Sequence, residues 1–253
     1  MNEIVTINKP RGLTPLQAVV LFKNKFPAYK EEKISYAGRL DPMAEGLLIL
    51  LIGNQNKNRN EFESLKKTYE FDILLGISTD TYDALGIITK SSLVSKNKGS
   101  RCVSLLPSFI GEHDQAYPPY SSMTVSGKPL YYWAREKKLE TIKIPAKTIT
   151  ISSLVVLSKS SILAQDLIDQ TVTRISKVKG DFRQNEIIDS WRSLSLTSQS
   201  FSLLSCRTEV SSGTYIRSLA HRIGIQLGCG AIAYRICRTN VGDYELAKAI
   251  SID

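Results

Sequence analysis

Residues 36–52, Tyr36-Ala-Gly-Arg-Leu-Asp-Pro-Met-Ala-Glu-Gly46 followed by Leu-Leu-Ile-Leu-Leu-Ile52, place an Asp-Pro turn directly before an unbroken apolar run. An apolar run bounded by glycines is typical of a strand that is covered on both faces. Because Pro42 lacks a backbone donor and the glycines permit tight turns, Asp41 is predicted to lie where a loop enters the sheet. There the acid either faces a cleft or caps local backbone, and the turn alone favours the cap.

Two later segments alternate apolar with polar residues, as half-buried strands do. They are residues 69–77, in which Tyr69 shares a face with apolar side chains, and residues 201–210. The other predicted elements are a helix over residues 215–227, an excursion of two helices at 164–179 and 185–191, and polar loops at 94–101 and 158–162. Strands separated by loops and a few helices, without a repeating βαβ unit, predict an α+β protein.

The charge balance of the chain indicates a polyanionic partner. There are 33 Lys and Arg residues against 24 Asp and Glu, which gives a net charge of +9 at pH 7. Such an excess steers polyanions to the surface, and nucleic acid is a common one. A basic surface also serves solubility alone, and charge by itself does not separate the two interpretations.

Cysteine and histidine usage gives no sign of a metal site. The four cysteines show no C-x-x-C spacing and there are two histidines, so neither zinc nor a disulfide framework is indicated. The first apolar stretch is too short for a signal peptide, and no run approaches membrane-spanning length. These features predict a cytoplasmic protein without a membrane segment.

Two motifs carry residue types that suit chemistry on nucleic acid. Lys67 and Tyr69 open the first alternating strand, where the ring is either a core aromatic or a platform for a nucleobase. Arg217 lies in the first turn of a helix, where a cation opposes the helix dipole. It is therefore either solvated or paired with a carboxylate or phosphate. Asp80 and Asp83 are predicted to be turn and cap residues.

A third motif, over residues 117–138, interleaves aromatic and basic side chains. Tyr117 and Tyr120 flank two prolines, and Lys128 and Arg135 follow among further aromatic residues. Such a surface can stack bases and contact phosphates. A Pro-rich loop that leads into an amphipathic helix explains the apolar residues equally well.

Taken in order, these segments resemble the TruB family of tRNA pseudouridine synthases. The matching stretches are Ile7-Asn-Lys-Pro-Arg-Gly12, Gly38-Arg-Leu-Asp-Pro-Met-Ala-Glu-Gly46, Lys67-Thr-Tyr69, Leu75-Gly-Ile-Ser-Thr-Asp-Thr-Tyr-Asp83, Pro118-Pro-Tyr-Ser121, Gly127-Lys-Pro-Leu-Tyr131, Ala134-Arg135, Gly213-Thr-Tyr-Ile-Arg217 and Leu227-Gly-Cys-Gly-Ala231. They run in register along nearly the whole chain. The resemblance implies the pseudouridine synthase catalytic fold, a mixed and mainly antiparallel sheet flanked by helices and loops.

The resemblance also implies an activity, the isomerisation of uridine 55 in the T loop of tRNA. It maps Asp41 onto the nucleophile, Tyr69 onto the tyrosine that stacks on the base, and Arg217 onto the ionic partner of the aspartate. A carboxylate that captures the sugar or the base divides one hard step into easier ones, and the choice between ribose C1′ and base C6 stays open. No cofactor or metal is expected, because the isomerisation is redox-neutral.

Residue types and resemblance together predict a set that binds RNA. Its members are Lys9, Tyr36, Arg39, Lys67, Tyr120, Lys128, Arg135 and Tyr215. The expected partner is the T arm of tRNA, bound by a monomer. Two alternatives stay open: a tRNA-binding or folding module whose catalysis is dispensable, and a pseudouridine synthase that acts on ribosomal RNA.

Three features depart from the family pattern. Tyr36 stands where the family has a histidine that is thought to help extrude the target nucleotide. The chain ends soon after Ile250, so a single catalytic domain over residues 1–253, without the C-terminal PUA domain, is expected. Residues 158–197 are longer than the usual connection and are expected to form a helical insertion. Its basic residues suit either an RNA contact or a solvated face, and they are Lys177, Lys179, Arg183 and Arg192.

Overall fold

The computed structural model describes residues 1–92, 98–194 and 199–253. The strands of this part are β1 (Glu3–Lys9), β2 (Ile34–Ala37), β3 (Ala44–Ile52), β4 (Lys67–Leu75), β5 (Ile77–Thr79), β6 (Ile88–Ser91), β7 (Gly111–Ala116), β8 (Thr124–Val125), β9 (Lys128–Pro129), β10 (Ala146–Leu163), β11 (Ser200–Val210), β12 (Ala231–Val241), β13 (Tyr244–Glu245) and β14 (Ile250–Ser251). The α-helices are α1 (Pro15–Lys25), α2 (Arg59–Ser64), α3 (Lys98–Leu105), α4 (Leu130–Arg135), α5 (Ala164–Ser176), α6 (Gln184–Arg192) and α7 (Ile216–Gln226).

One large sheet organises the described residues. Its strand order is β14-β1-β3-β12-β4-β11-β10-β7, with β2 also pairing with β3 and β13 with β12. Within it β1 pairs with β14 and β3 with β12 in parallel, and the other pairings are antiparallel. The predicted α+β class and the mainly antiparallel sheet are therefore confirmed.

Strand β3 is covered on both faces, as its unbroken apolar sequence predicts. Leu48, Leu50 and Ile52 pack with Phe22 of α1 in one cluster. Leu47, Ile49 and Leu51 pack with Val241 of β12 in another. Since every side chain from 47 to 52 is fully buried, the turn at Asp41 is anchored to a rigid strand.

The alternating strands and the last helix enclose a separate core. The residues that meet there are Tyr69, Phe71, Ile73 and Leu75 of β4, Leu204, Cys206 and Val210 of β11, and Ile216, Leu219, Ala220 and Ile223 of α7. The predicted strands and helix are confirmed, except that the first strand ends at Leu75. Gly76 adopts a φ of 98°, and Ile77 beyond it packs into a different cluster.

Both predicted loops need correction. The loop at 158–162 is wrong, because β10 continues to Leu163 and its polar residues pair in register with β11, from Ser158 with Ser205 to Ile162 with Phe201. The loop at 94–101 lies partly outside the described residues, and α3 already begins at Lys98. The two helices of the excursion are confirmed as α5 and α6. In the described ranges no helix is long and apolar enough to cross a membrane.

Candidate active site

A cleft of about 830 Å³ opens beside the turn that carries Asp41. Its described lining is basic and aromatic. The basic side chains are Arg39, Arg59, Lys67, Arg135, Arg183, Arg217 and Arg238, against the acids Asp41, Glu63, Asp83 and Asp181. The aromatic side chains are Tyr36, Tyr69, Tyr117, Tyr120, Tyr131, Phe182 and Tyr215. Excess positive charge with stacking surfaces suits a single-stranded nucleic acid.

Asp41 and Arg217 form a two-pronged ion pair at the floor of this cleft. Arg217 Nε donates to Asp41 Oδ2 at 2.7 Å and Nη2 donates to Oδ1 at 3.2 Å. The Asp41 side chain is 38% exposed, whereas that of Arg217 is 2% exposed. A planar fork that meets both carboxylate oxygens fixes the orientation of the acid, and the acid still faces the open cleft.

Arg217 is held from behind by backbone carbonyls. Its Nη1 donates to Thr81 O at 2.7 Å, and Nη2 also donates to Tyr120 O at 3.2 Å. Burial disfavours its charged form, but Asp41 and Asp83 outweigh that effect and raise the pKa of Arg217. The alternative of a solvated surface arginine is therefore wrong, and the helix places a buried cation under the acid.

Asp83 is a second acid beside the same guanidinium, and sequence patterns did not single it out for a charge role. Its Oδ1 accepts from Leu85 N at 2.9 Å and from Thr81 Oγ1 at 2.6 Å, so the predicted cap is present. Its Oδ2 also lies 3.7 Å from Arg217 Nε. Burial raises the pKa of Asp83 to about 6, against the opposing effect of Arg217.

Two contacts fix the backbone of the turn that carries Asp41. Arg238 of β12 is 1% exposed and donates to Leu47 O at 2.8 Å and Gly38 O at 3.1 Å. On the other side Gly12 N donates to Pro42 O at 2.8 Å. The cleft therefore presents Asp41 on a turn clamped at both ends, which is how preorganised sites are built.

The described lining includes most of the predicted site residues. They are Asp41, Tyr69, Arg217, Tyr36, Arg39, Lys67, Tyr120, Arg135 and Tyr215. Burial lowers the pKa of Lys67 to about 8, and burial followed by Asp80 raises the pKa of Tyr120 to about 12. Tyr36 lies under Arg59, whose guanidinium carbon is 5.6 Å from the ring centroid.

Lys9 and Lys128 do not join this lining. Lys9 is fully buried, and its ammonium donates to Leu13 O at 2.7 Å and Pro10 O at 2.9 Å. Burial lowers its pKa to about 7. The expectation that Lys9 touches RNA is therefore wrong for this conformation. Lys128 is exposed on the β8–β9 hairpin, where it donates to Tyr132 Oη at 2.8 Å.

The excursion supplies cleft residues, of which the sequence had indicated only Arg183, as a candidate RNA contact. Asp181, Phe182 and Arg183, between α5 and α6, line the cleft. Arg183 Nη1 lies 2.9 Å from Asp80 Oδ2, and its guanidinium carbon is 4.4 Å from the Tyr120 ring centroid. The sequence signal for this segment was its positive charge, which does not show that the turn between α5 and α6 folds back against the cleft.

Comparison with known proteins places the chain in a class. A family model described as TruB family pseudouridylate synthase (N terminal domain) matches residues 25–182. The tRNA pseudouridine synthase B of Burkholderia mallei (strain NCTC 10247) is 30% identical over 253 residues, which is 100% of this chain and 68% of that protein. The protein of the same name from Clostridium kluyveri is 32% identical, over 100% of this chain and 72% of that protein. The chain belongs to the TruB family of pseudouridylate synthases.

Solved structures share the fold. A chain in a Cbf5-Nop10-Gar1 complex superposes with a TM-score of 0.60 at 20% sequence identity, covering 98% of this chain and 51% of that one. A chain in an H/ACA RNP bound to a substrate RNA containing 2'-deoxyuridine superposes with a TM-score of 0.57 at 18% identity, covering 98% and 50%. The chain thus spans about half the length of those solved chains.

Proposed function

We propose that this chain isomerises a uridine of tRNA to pseudouridine, with Asp41 as the nucleophile. The observation that carries the proposal is the pairing of a cleft-facing carboxylate with a buried guanidinium, 2.7 Å apart, in a basic and aromatic cleft. Family membership supplies the reaction class, and the relatives named above are tRNA pseudouridine synthases. The target position that we propose is uridine 55 in the T loop.

The reaction moves one glycosidic bond without oxidation or reduction. The bond from N1 to ribose C1′ breaks, the uracil turns, and C5 bonds to C1′ as N1 gains a proton and C5 loses one. Asp41 attacks the ribose or the base and holds the intermediate covalently, which splits one barrier into smaller ones. Arg217 keeps the carboxylate aimed throughout, since its two bonds to Asp41 are backed by two carbonyl contacts.

Tyr69 is the residue that we assign to the detached uracil. It lines the cleft from the start of β4, and packing in the core below leaves the side chain 8% exposed. A ring fixed in this way offers one face for stacking, which is worth roughly 1–3 kcal/mol per base. Its hydroxyl is the group that we assign to removal of the C5 proton.

The target nucleotide must leave the stack of the T loop before it reaches Asp41. Extrusion costs a few kcal/mol, which protein contacts offset. We assign those contacts to Tyr36, Arg39, Arg135 and Tyr215, because all four line the cleft. Tyr36 takes the position of the family histidine, and we propose that its ring stacks in place of the imidazole.

We propose that one copy of the chain carries out the reaction in the cytoplasm, as a single catalytic domain over residues 1–253. Two features support the assignment to one unit. The first strand, β1, pairs with the last, β14, so the sheet joins both ends of the described chain. The cleft lining comes from segments between Thr14 and Arg238 of the same chain.

The test is an assay of the wild-type protein and of Asp41→Asn on an unmodified tRNA transcript, with pseudouridine located by chemical mapping. We expect product in the T loop from the wild type and a rate at least about 1,000-fold lower for Asp41→Asn. Asp243→Asn, the same change at an exposed turn, is the matched control. Tight tRNA binding without product from the wild type would favour a binding module. The same assay is run on ribosomal RNA fragments, and product on these fragments alone would favour a pseudouridine synthase that acts on ribosomal RNA.

A further inference from the structure

The turn that joins the two excursion helices, residues 177–183, is built into the catalytic cleft. We call it the excursion turn. Lys179 N donates to Gly12 O at 3.2 Å, and Gln17 Nε2 donates to Lys179 O at 3.3 Å. Since Gly12 N in turn donates to Pro42 O, a short chain of backbone contacts connects the excursion turn with the turn that carries Asp41.

The opposite side of the excursion turn is tied to the far wall of the cleft. Arg135 Nη1 donates to Asp181 Oδ2 at 3.1 Å and its Nη2 to Asp181 O at 2.8 Å. Arg183 pairs with Asp80 beside Tyr120. Gln184 Nε2 donates to Val178 O at 3.0 Å and to Gly180 O at 2.6 Å, which holds the turn in shape. The excursion turn is therefore a fixed part of the wall.

The charges on the excursion turn divide into two kinds. Asp181 and Arg183 are neutralised by Arg135 and Asp80. Lys177 and Lys179 are exposed, and no residue in the described ranges forms an ion pair with either. Both lysines belong to the same turn as the cleft-lining residues Asp181, Phe182 and Arg183. Unpaired cations of this kind make the phosphate contacts that dominate nucleic-acid affinity.

Phe182 adds a stacking surface to the same wall. It lines the cleft and is half-buried, because part of the ring packs against the cluster below α5 and α6. An aromatic ring anchored on one side leaves its other surface for a base, and this kind of contact is tolerant of sequence.

From this arrangement, and resting on the proposed function, we propose that the excursion turn binds the RNA substrate. Phe182 stacks on an unpaired nucleotide next to the target, and Lys177 and Lys179 contact phosphates of the same RNA. The turn thus makes the excursion a substrate-binding element rather than a solvated helical hairpin.

The experiment compares the wild type with Lys177→Ala/Lys179→Ala on an unmodified tRNA transcript, measuring Kd, KM, kcat and the salt dependence of Kd. We expect Kd and KM to rise about 5- to 20-fold with kcat within twofold of the wild type. The slope of log Kd against log salt should shrink by about 0.7 to 0.9 for each phosphate that the variant no longer neutralises. The matched control is Lys90→Ala/Lys159→Ala, which removes two exposed charges outside the excursion turn. It should leave both the affinity and the slope as in the wild type.

A second variant, Phe182→Leu, keeps an apolar side chain against the core and removes the ring. We expect KM to rise roughly fivefold or more, because the base has no aromatic face on which to stack. The proposal is overturned if the Lys177→Ala/Lys179→Ala protein matches its control in Kd and in salt slope. Failure of the proposed function is a separate result, since it would appear as absent product from the wild type, and the binding measurements would still decide the role of the turn.

Discussion

Arg217 donates hydrogen bonds to both carboxylate oxygens of Asp41, and only 2% of the Arg217 side chain is exposed. A buried guanidinium therefore fixes the orientation of an acid that faces the cleft. The bond from Nε to Oδ2 measures 2.7 Å, and further bonds to Thr81 O and Tyr120 O use the rest of the guanidinium. The acid and the arginine are 176 residues apart in the chain. The orientation of the Asp41 carboxylate therefore depends on the planar guanidinium of Arg217, which contacts both of its oxygens.

The first prediction concerns Arg217→Lys. An ammonium keeps the charge but cannot bridge both carboxylate oxygens and two carbonyls at once. We expect kcat on tRNA to fall roughly 100-fold with KM within about threefold, because the aim of the acid is impaired rather than substrate binding. Steady-state kinetics measure both constants, with Arg222→Lys on the same helix as control. A variant that keeps more than half of the wild-type kcat would show that a point charge suffices.

The second prediction separates the ring of Tyr69 from its hydroxyl. In Tyr69→Phe the stacking face stays and the proton acceptor is removed, so kcat should fall by about 100- to 10,000-fold, as the loss of a general base does, with KM little changed. In Tyr69→Leu the KM should rise as well. Tyr234→Phe, a buried tyrosine of neighbouring β12 outside the described cleft lining, is the control. Equal kcat for Tyr69→Phe and the wild type would remove the hydroxyl from the mechanism.

The sequence pattern correctly predicted those strands and helices whose buried residues form an unbroken or regularly spaced apolar pattern along the chain. The run from Leu47 to Ile52 is covered on both faces because it has neighbours on each side, and an unbroken apolar string records that directly. Strand β12 was not anticipated, although it lies at the centre of the sheet. Arg235 and Arg238 interrupt its apolar pattern, and their cost is offset only in the fold, by Glu45 and by backbone carbonyls.

The site shows the same division between local and distant information. The residue pattern alone left Arg217 open between a solvated and a paired state, because its acidic partner is contributed by a remote turn. The family resemblance was needed to name Asp41 as that partner. The strand at 158–163 was missed since Ser and Lys residues predict a loop, whereas pairing with β11 satisfies their backbone groups. Lys9 was predicted to bind RNA from its residue type and the family resemblance, and neither records how deeply a side chain is buried. In the folded chain it is fully buried, and its ammonium donates to two nearby carbonyls, Pro10 O and Leu13 O.

The third prediction uses the buried ammonium of Lys9. Burial lowers its pKa from the ordinary value near 10.5 to about 7, so between these values the unfolded chain binds more protons than the folded one. The free energy of unfolding should therefore rise with pH across this window, by an amount on the order of 5 kcal/mol at full effect. Urea unfolding of the wild type and of Lys9→Met from pH 6.5 to 10 measures it.

The Lys9→Met variant serves as the reference in that experiment, because other groups titrate in both proteins. Lys67, whose pKa burial lowers to about 8, contributes a slope of the same sign to each. The difference between the two proteins should rise in favour of the wild type as pH increases. A difference that stays constant with pH would show that Lys9 is not held in this buried state.

The fourth prediction concerns Gly46, the third residue of β3, which follows the turn that carries Asp41. Its φ is 107°, and an added Cβ would lie 2.8 Å from Arg238 N and still closer to Arg238 O. Gly111 has a φ of 111°, but a Cβ there meets nothing within 4 Å. Gly111→Ala should therefore lower the free energy of unfolding through backbone strain alone, by about 1–2 kcal/mol. Gly46→Ala should lower the free energy of unfolding by about 1–3 kcal/mol more, because the added methyl group overpacks the contact with Arg238.

Chemical unfolding of both alanine variants gives the comparison, and activity of the surviving Gly46→Ala protein gives its consequence. Because Arg238 also donates to Gly38 O on the other side of Asp41, a shift of β12 away from β3 displaces the acid as well. We expect kcat of Gly46→Ala to fall at least tenfold under conditions where the protein is folded, since small misplacements of a catalytic group are costly. Equal stability of the two variants would mean that β12 moves away from Gly46 at no measurable cost in free energy. In that case the contact with Arg238 does not fix the turn that carries Asp41.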